Sequence, residues 1–176
     1  MYFTLLDMSD AIMEFMNKGG EVLWIIAGLL LVKWSLVFER VWYMYSTHAK
    51  RVKYTLATWN GRNDTKSWRA RQIRNMMISE ISLDLKSTLP IIETLVVICP
   101  LLGLIGTVTG MIEVFYVMAL TGGGDAKSMA GGVSKATIPT MAGMVGALSG
   151  IFASNWLKAK MDRDLELLAD NMALNK

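Results

Sequence analysis

Pro100 to Phe115 reads PLLGLIGTVTGMIEVF, which places one proline, three glycines, two threonines and one glutamate in an otherwise apolar run. The run extends from Leu89 to Leu120 with charge only at Glu93 and Glu113. A bilayer needs about 20 apolar residues per spanning helix, so this segment exceeds one crossing and must tilt or continue into water. In lipid no hydrophobic effect separates a helix from the acyl chains, and small residues let helix backbones approach closely. Gly106 and Gly110 form a GxxxG with Gly103 one turn earlier, so this helix is expected to have a close neighbour.

The remainder of the chain fits that reading. Of 176 residues, 53% are hydrophobic and 19% charged, and the mean hydropathy is +0.37, which is too apolar for an average soluble domain. Ala136 to Leu157 carries no charge and is bracketed by Lys135 and Lys158. Val22 to Phe38 is a shorter span containing Lys33, which is expected to snorkel toward an interface. Residues 1–21 hold one lysine and four acids, whereas Tyr45 to Thr88 holds nine Lys or Arg against three acids. The positive-inside rule therefore puts the 45–88 segment in the cytoplasm, and Lys158, Lys160 and Arg163 put the tail on the same side. Three spans with the N-terminus outside satisfy both counts. No cleaved signal peptide is expected, because Asp7 and Asp10 stand where a basic start is usual.

The flanking segments also read as helices. Leu157, Met161, Leu165, Leu168 and Met172 recur at spacings of four and three, and Ile73, Met76, Met77 and Ile81 do the same before the second span. Ile12, Phe15 and Met16 form one face of a short helix that Gly19-Gly20 should end, lying at the outer interface.

The third span supplies a second GxxxG in Gly146 and Gly150, beside Gly143. Two such helices joined through the Gly-rich Thr121 to Asp125 imply a tight antiparallel hairpin. If its turn centres near Gly124, Thr107 lies level with Thr140 and Glu113 level with Lys135. At 100° per residue the threonines and the charged pair occupy different faces. Glu93 lies about 21 Å nearer the cytoplasm than Thr107 and within about 40° of its face, unless a kink at Pro100 spoils the alignment. Glu113 and Lys135 are read as an intramembrane ion pair joining two helices, with a proton site as the alternative. The threonines either bond carbonyls of their own helix or form a polar belt lining a pore, and the spacing leaves both open.

PLLGLIGTVTGMI, followed after the turn by ATIPTMAGMVGALSGI, closely resembles the ExbB, TolQ and MotA family of inner-membrane ion-driven motor subunits. Glu39-Arg40 at the end of the first span also looks like that family, and the resemblance covers roughly residues 20 to 165. Three spans argue against MotA, and ExbB of an alternative TonB system is the branch the chain most resembles. The resemblance implies an all-α integral membrane fold assembled as a homopentamer around a central pore. It implies an ExbD-like single-span protein inside that pore and a TonB-like protein that drives siderophore, haem or vitamin uptake across the outer membrane. By the same resemblance Thr107 and Thr140 match threonines facing the pore, and Glu93 is a candidate acid at its cytoplasmic mouth. Many relatives carry a glutamate where this chain has Lys135, so either the carboxylate function moves to Glu113 on the facing helix or the proton carrier lies entirely in the partner, the second being favoured because Lys135 is expected to occupy Glu113. A TolQ-like subunit of the Tol-Pal system and a non-conducting scaffold are the alternatives.

The expected organisation is a periplasmic amphipathic segment (1–21), a first transmembrane helix (22–44) and a basic cytoplasmic loop (45–88). A second transmembrane helix (89–120), a periplasmic turn (121–133), a third transmembrane helix (134–157) and a cytoplasmic helical tail (158–176) follow, in a Gram-negative inner membrane. No enzyme is expected: there is no P-loop, GxSxG or HExxH, and Cys99 stands alone in an apolar run. No cofactor or metal site is expected either. His48 is read as a solvated surface residue. The basic loop, with Lys50, Arg51, Lys53, Arg62, Lys66, Arg69, Arg71 and Arg74, suits anionic lipid better than nucleic acid, because topology already requires its charge.

Overall fold

The computed structural model describes residues 2–62, 64, 67–121 and 126–172. The Gly-rich turn at 122–125, Lys66 and the last four residues of the tail lie outside the described residues. The chain is helical: α1 (Tyr2–Tyr43), a π-helical turn (Met44–His48), α2 (Ala49–Asn60), α3 (Trp68–Lys86), α4 (Leu89–Thr121) and α5 (Ala126–Asn171). Three helical stretches, Asp10–Asn60, Trp68–Leu120 and Met129–Asn171, contain segments long and apolar enough to cross a membrane.

α1 is interrupted at Gly20, where φ is 69° and ψ −167°, a conformation open to glycine because it has no Cβ. α4 runs through Pro100 as one helix, and α5 runs through Pro139. The buried positions of α4 are Leu89, Ile92, Val96, Cys99, Gly103, Gly106, Gly110 and Val114. From Leu89 to Gly110 their spacing alternates between three and four, the 3.5-residue period of left-handed helix packing. α1 buries Leu23, Ile26, Lys33, Val37 and Arg40 on the same period, continued by Met44 of the π-helical turn, so two cations lie on its inward stripe.

Two compact units divide these elements: Met1–Trp34 with Thr94–Ile151, and Ser35–Glu93 with Phe152–Lys176. In the first unit α4 and α5 pack almost backbone to backbone. A Cβ on Gly110 would lie 2.6 Å from Ala136 Cα, one on Gly103 2.9 Å from Thr140 Cα, and one on Gly143 2.6 Å from the Cys99 carbonyl oxygen. Gly106 receives the Pro139 ring instead, and Gly146 receives Leu30 of α1.

In the second unit, Val37, Met44, Leu85, Leu89, Ile92, Leu157 and Met161 form one core, and Trp59, Ala70, Ile81, Leu168 and Met172 form another. The 45–88 segment is therefore less a loop than a pair of packed helices. Ser67 caps α3 by accepting from the Ala70 N–H at 3.1 Å. Arg40 is 3% exposed. Its guanidinium donates to the Leu85 carbonyl at 2.6 Å, to Ser87 Oγ at 2.9 Å and to the Asp84 carbonyl, satisfying the free carbonyls that end α3. Some of the basic charge is spent internally: Arg51 pairs with Asp84 at 2.5 Å, and Arg74 donates to the Met172 and Ala169 carbonyls at 2.7 Å.

Two expectations are corrected. His48 is 7% exposed rather than solvated. It lies four residues after the buried Met44, about 40° around a helix, and so continues the inward stripe of α1 into the π-helical turn. Lys33 does not snorkel. It is fully buried, and its Nζ donates to the Gly146 carbonyl at 2.7 Å and lies 3.4 Å from Ser149 Oγ.

Candidate functional site

Each of the two carboxylates of α4 stands beside a lysine of α5. Lys135 Nζ stands 2.7 Å from Glu113 Oε2 and 2.9 Å from Oε1, with both side chains partly exposed. Glu93, at the other end of α4, is exposed and lies 4.0 Å from Lys158 Nζ. Glu93 and Glu113 are the only carboxylates between Leu89 and Leu120, and Ala136 to Leu157 has none. Each therefore has a lysine beside it.

The Glu113–Lys135 pair borders two cavities. One, of about 320 Å³, is also lined by Gly20, Glu21, Thr109 and Gly110. The other, of about 210 Å³, is lined by Val114, Val117, Met129 and Gly132. Gly20 adopts its positive φ here, where a Cβ would come 3.1 Å from Lys135 Cε.

The two threonines are half-buried and do different things. Thr107 Oγ1 donates to the Leu104 carbonyl of its own helix at 2.7 Å. Thr140 Oγ1 donates across the hairpin to the Gly103 carbonyl at 2.9 Å. Thr140 thus opposes Gly103, a position about 6 Å along the axis from Thr107. A hydroxyl that bonds a backbone carbonyl still presents lone pairs, so Thr107 can accept a hydrogen bond from a water or a proton donor.

The glycines also divide. Gly103, Gly110 and Gly143 set the approach of two backbones, whereas Gly150 makes room for the Val96 side chain, 2.5 Å from a would-be Cβ, and for Lys33, whose Nζ would lie 3.0 Å away. Sequence reading passed over this amine because a lone lysine in a short apolar run is ordinarily taken to reach for water. The available signal was its place in the series 23, 26, 30, 33, 37, 40, 44, all on one helical face. Among the described residues no group of His, Cys, Asp and Glu is arranged to hold a metal ion.

Residues 44–170 match the model of the MotA/TolQ/ExbB proton channel family. The chain belongs to that family. Among proteins similar to it are the biopolymer transport protein ExbB of Helicobacter pylori and two ExbB-like proteins of Synechocystis. The H. pylori protein is 38% identical over 85 residues, 48% of this chain and 59% of that protein. The putative biopolymer transport protein ExbB-like 1 of Synechocystis is 35% identical over 82 residues, 45% of this chain and 32% of that protein. The putative ExbB-like 3 protein of the same organism is 31% identical over 80 residues, 44% of this chain and 38% of that protein. The chain thus spans between about a third and three-fifths of the length of these relatives. Family membership makes it a membrane protein of the proton channel class.

Proposed function

We propose that this chain is an ExbB-like subunit of an inner-membrane motor driven by the proton motive force. Five copies surround a pore with α4 and α5 innermost, and the pore holds a single-span ExbD-like partner. The assembly energises a TonB-like protein for outer-membrane uptake of siderophores, haem or vitamins. The N-terminus lies in the periplasm and the C-terminus in the cytoplasm, where the remaining surface lysines and arginines meet anionic lipid. The observation that carries this reading is that Glu93 and Glu113 each sit beside a lysine. One chain leaves no unpaired carboxylate in its second or third span to carry a proton, so the carrier comes from a partner helix. Thr107 and, about one turn away along the axis, Thr140 supply hydroxyls past which that carrier moves, and Glu93 marks the cytoplasmic mouth.

Native mass spectrometry of the chain, with and without a co-expressed single-span partner, tests the assembly: five copies that gain partner without losing any support it. A monomer or dimer that ignores the partner refutes it. A scaffold without conduction is separated by Thr107→Val, which keeps volume and removes a hydroxyl bonded only within its own helix. Proton-dependent uptake should fall with assembly intact, and unchanged uptake would favour the scaffold. Thr140→Val is the poorer probe, since it also removes a bond between helices.

A further inference from the structure

Two cavities of the first compact unit follow one another along α5. One is the polar cavity of about 320 Å³ at the Glu113–Lys135 pair, to which α1 contributes Gly20 and Glu21. The other, of about 470 Å³, is an apolar groove lined by Leu30 and Trp34 of α1 and by Ile138, Ala142, Val145 and Ser149 of α5, among others. Lys135, Ile138, Ala142, Val145 and Ser149 are spaced three and four apart, so one face of α5 lines both. Phe15, which precedes the break at Gly20, lines the groove as well.

Length and charge say what such a trough holds. The charge-free stretch Ala136 to Leu157 makes about 33 Å of helix against a hydrocarbon core of about 30 Å, so Lys135 stands at the edge of that core. From Ile138 to Ser149 the groove runs about 16 Å, the depth of one leaflet. Its rim is open, with Met141 67% and Val145 69% exposed. At the polar end the charges do not balance, because two carboxylates, Glu21 and Glu113, meet one ammonium. Lys135 gives two of its three N–H groups to Glu113 and keeps one. Among the described residues Glu21 is in no ion pair, and Lys18, the nearest cation along α1, is taken by Glu14 at 2.7 Å. The trough thus offers a carboxylate without a cation and an N–H without an acceptor, above an apolar groove one leaflet deep.

We propose that this trough binds one phospholipid whose headgroup carries both an ammonium and a phosphate. The ammonium meets Glu21, the phosphate accepts from the remaining N–H of Lys135, and an acyl chain lies between α1 and α5. An anionic lipid without an ammonium would leave Glu21 unmatched and bring net negative charge beside two carboxylates, so the site prefers the zwitterion. That preference is opposite to the one expected of the basic 45–88 segment. The inference rests on the chain being a membrane protein and not on the motor reading. With the N-terminus in the periplasm, as proposed above, the lipid belongs to the periplasmic leaflet.

Native mass spectrometry of the full chain tests this. The chain is released from detergent containing phosphatidylethanolamine or phosphatidylglycerol of identical acyl chains, and retained lipids are counted per chain. One phosphatidylethanolamine is expected, favoured over phosphatidylglycerol by about two- to fivefold, the worth of one exposed ion pair. Glu21→Gln should abolish the preference. Met141→Trp, which fills the groove, should release both lipids, whereas Met144→Trp, exposed on α5 outside the groove lining, should release neither. Equal retention of the two lipids, a preference that survives Glu21→Gln, or the same loss in both tryptophan variants overturns the proposal. So does a Met141→Cys variant that cross-links copy to copy on oxidation while no lipid is retained, which gives the groove to a second copy of the chain. Selective lipid on a chain that never forms five copies would refute the motor assembly and leave this site standing.

Discussion

Replacing Gly110 with alanine probes the closest approach in the hairpin. The new Cβ would lie 2.6 Å from both Cα and Cβ of Ala136, against an ordinary carbon contact of about 3.5–4.0 Å, so α4 and α5 must separate locally by about 1 Å. Overpacking of this kind costs about 1–3 kcal/mol. Alanine returns about 0.5–1 kcal/mol by restricting the unfolded backbone, which complicates a single measurement. Gly28 supplies the correction: it lies in α1 with nothing within 4 Å of its would-be Cβ, so Gly28→Ala reports the helix gain alone. The difference between the two variants isolates the steric term at about 1–3 kcal/mol. Equilibrium unfolding in mixed micelles, followed by far-ultraviolet circular dichroism, measures both. Ala136→Gly added to Gly110→Ala should rescue only in part, because Ala136 Cα and N remain 2.6 and 3.0 Å away. Equal stabilities for Gly110→Ala and Gly28→Ala, or full rescue by Ala136→Gly, would refute the backbone contact.

Lys33→Met keeps the length of a side chain that bridges α1 and α5 and removes its charge, so stability should stay within about 1.5 kcal/mol of the wild type. Lys33→Ala should cost about 2–4 kcal/mol through the cavity it opens, measured by the same unfolding assay. Lys135→Ala should destabilise the hairpin more than Lys135→Ala together with Glu113→Ala. For a pair this exposed, the double-mutant cycle should give a coupling of about 0.5–1 kcal/mol, and equal losses would count against pairing.

The hairpin illustrates how far counting residues carries. Counting outward from the Gly-rich turn sets Glu113 opposite Lys135, and the charged groups stand 2.7 Å apart. The same count sets Thr107 opposite Thr140, whose hydroxyl reaches Gly103 instead. Two helices slide to seat their glycines, and a slide of one turn is invisible to a count. The Gly146–Gly150 pair makes the same point, since GxxxG announces a close neighbour without saying whether a backbone or, as here, the side chains of Leu30, Val96 and Lys33 fill the space.

The sequence by itself determined the hydropathic spans, the asymmetry of charge and the small-residue faces, because each is a property of residues at fixed spacing on one helix. It also carried the family, whose motif lies in contiguous residues. Tertiary structure decided which groups those faces enclose. Lys33 is held by a carbonyl of another helix, Arg40 closes the end of α3, and His48 turns inward on a π-helical turn. The energy of a buried polar group depends on the acceptor that meets it, and for Lys33 and Arg40 that acceptor is contributed by a helix distant in the chain.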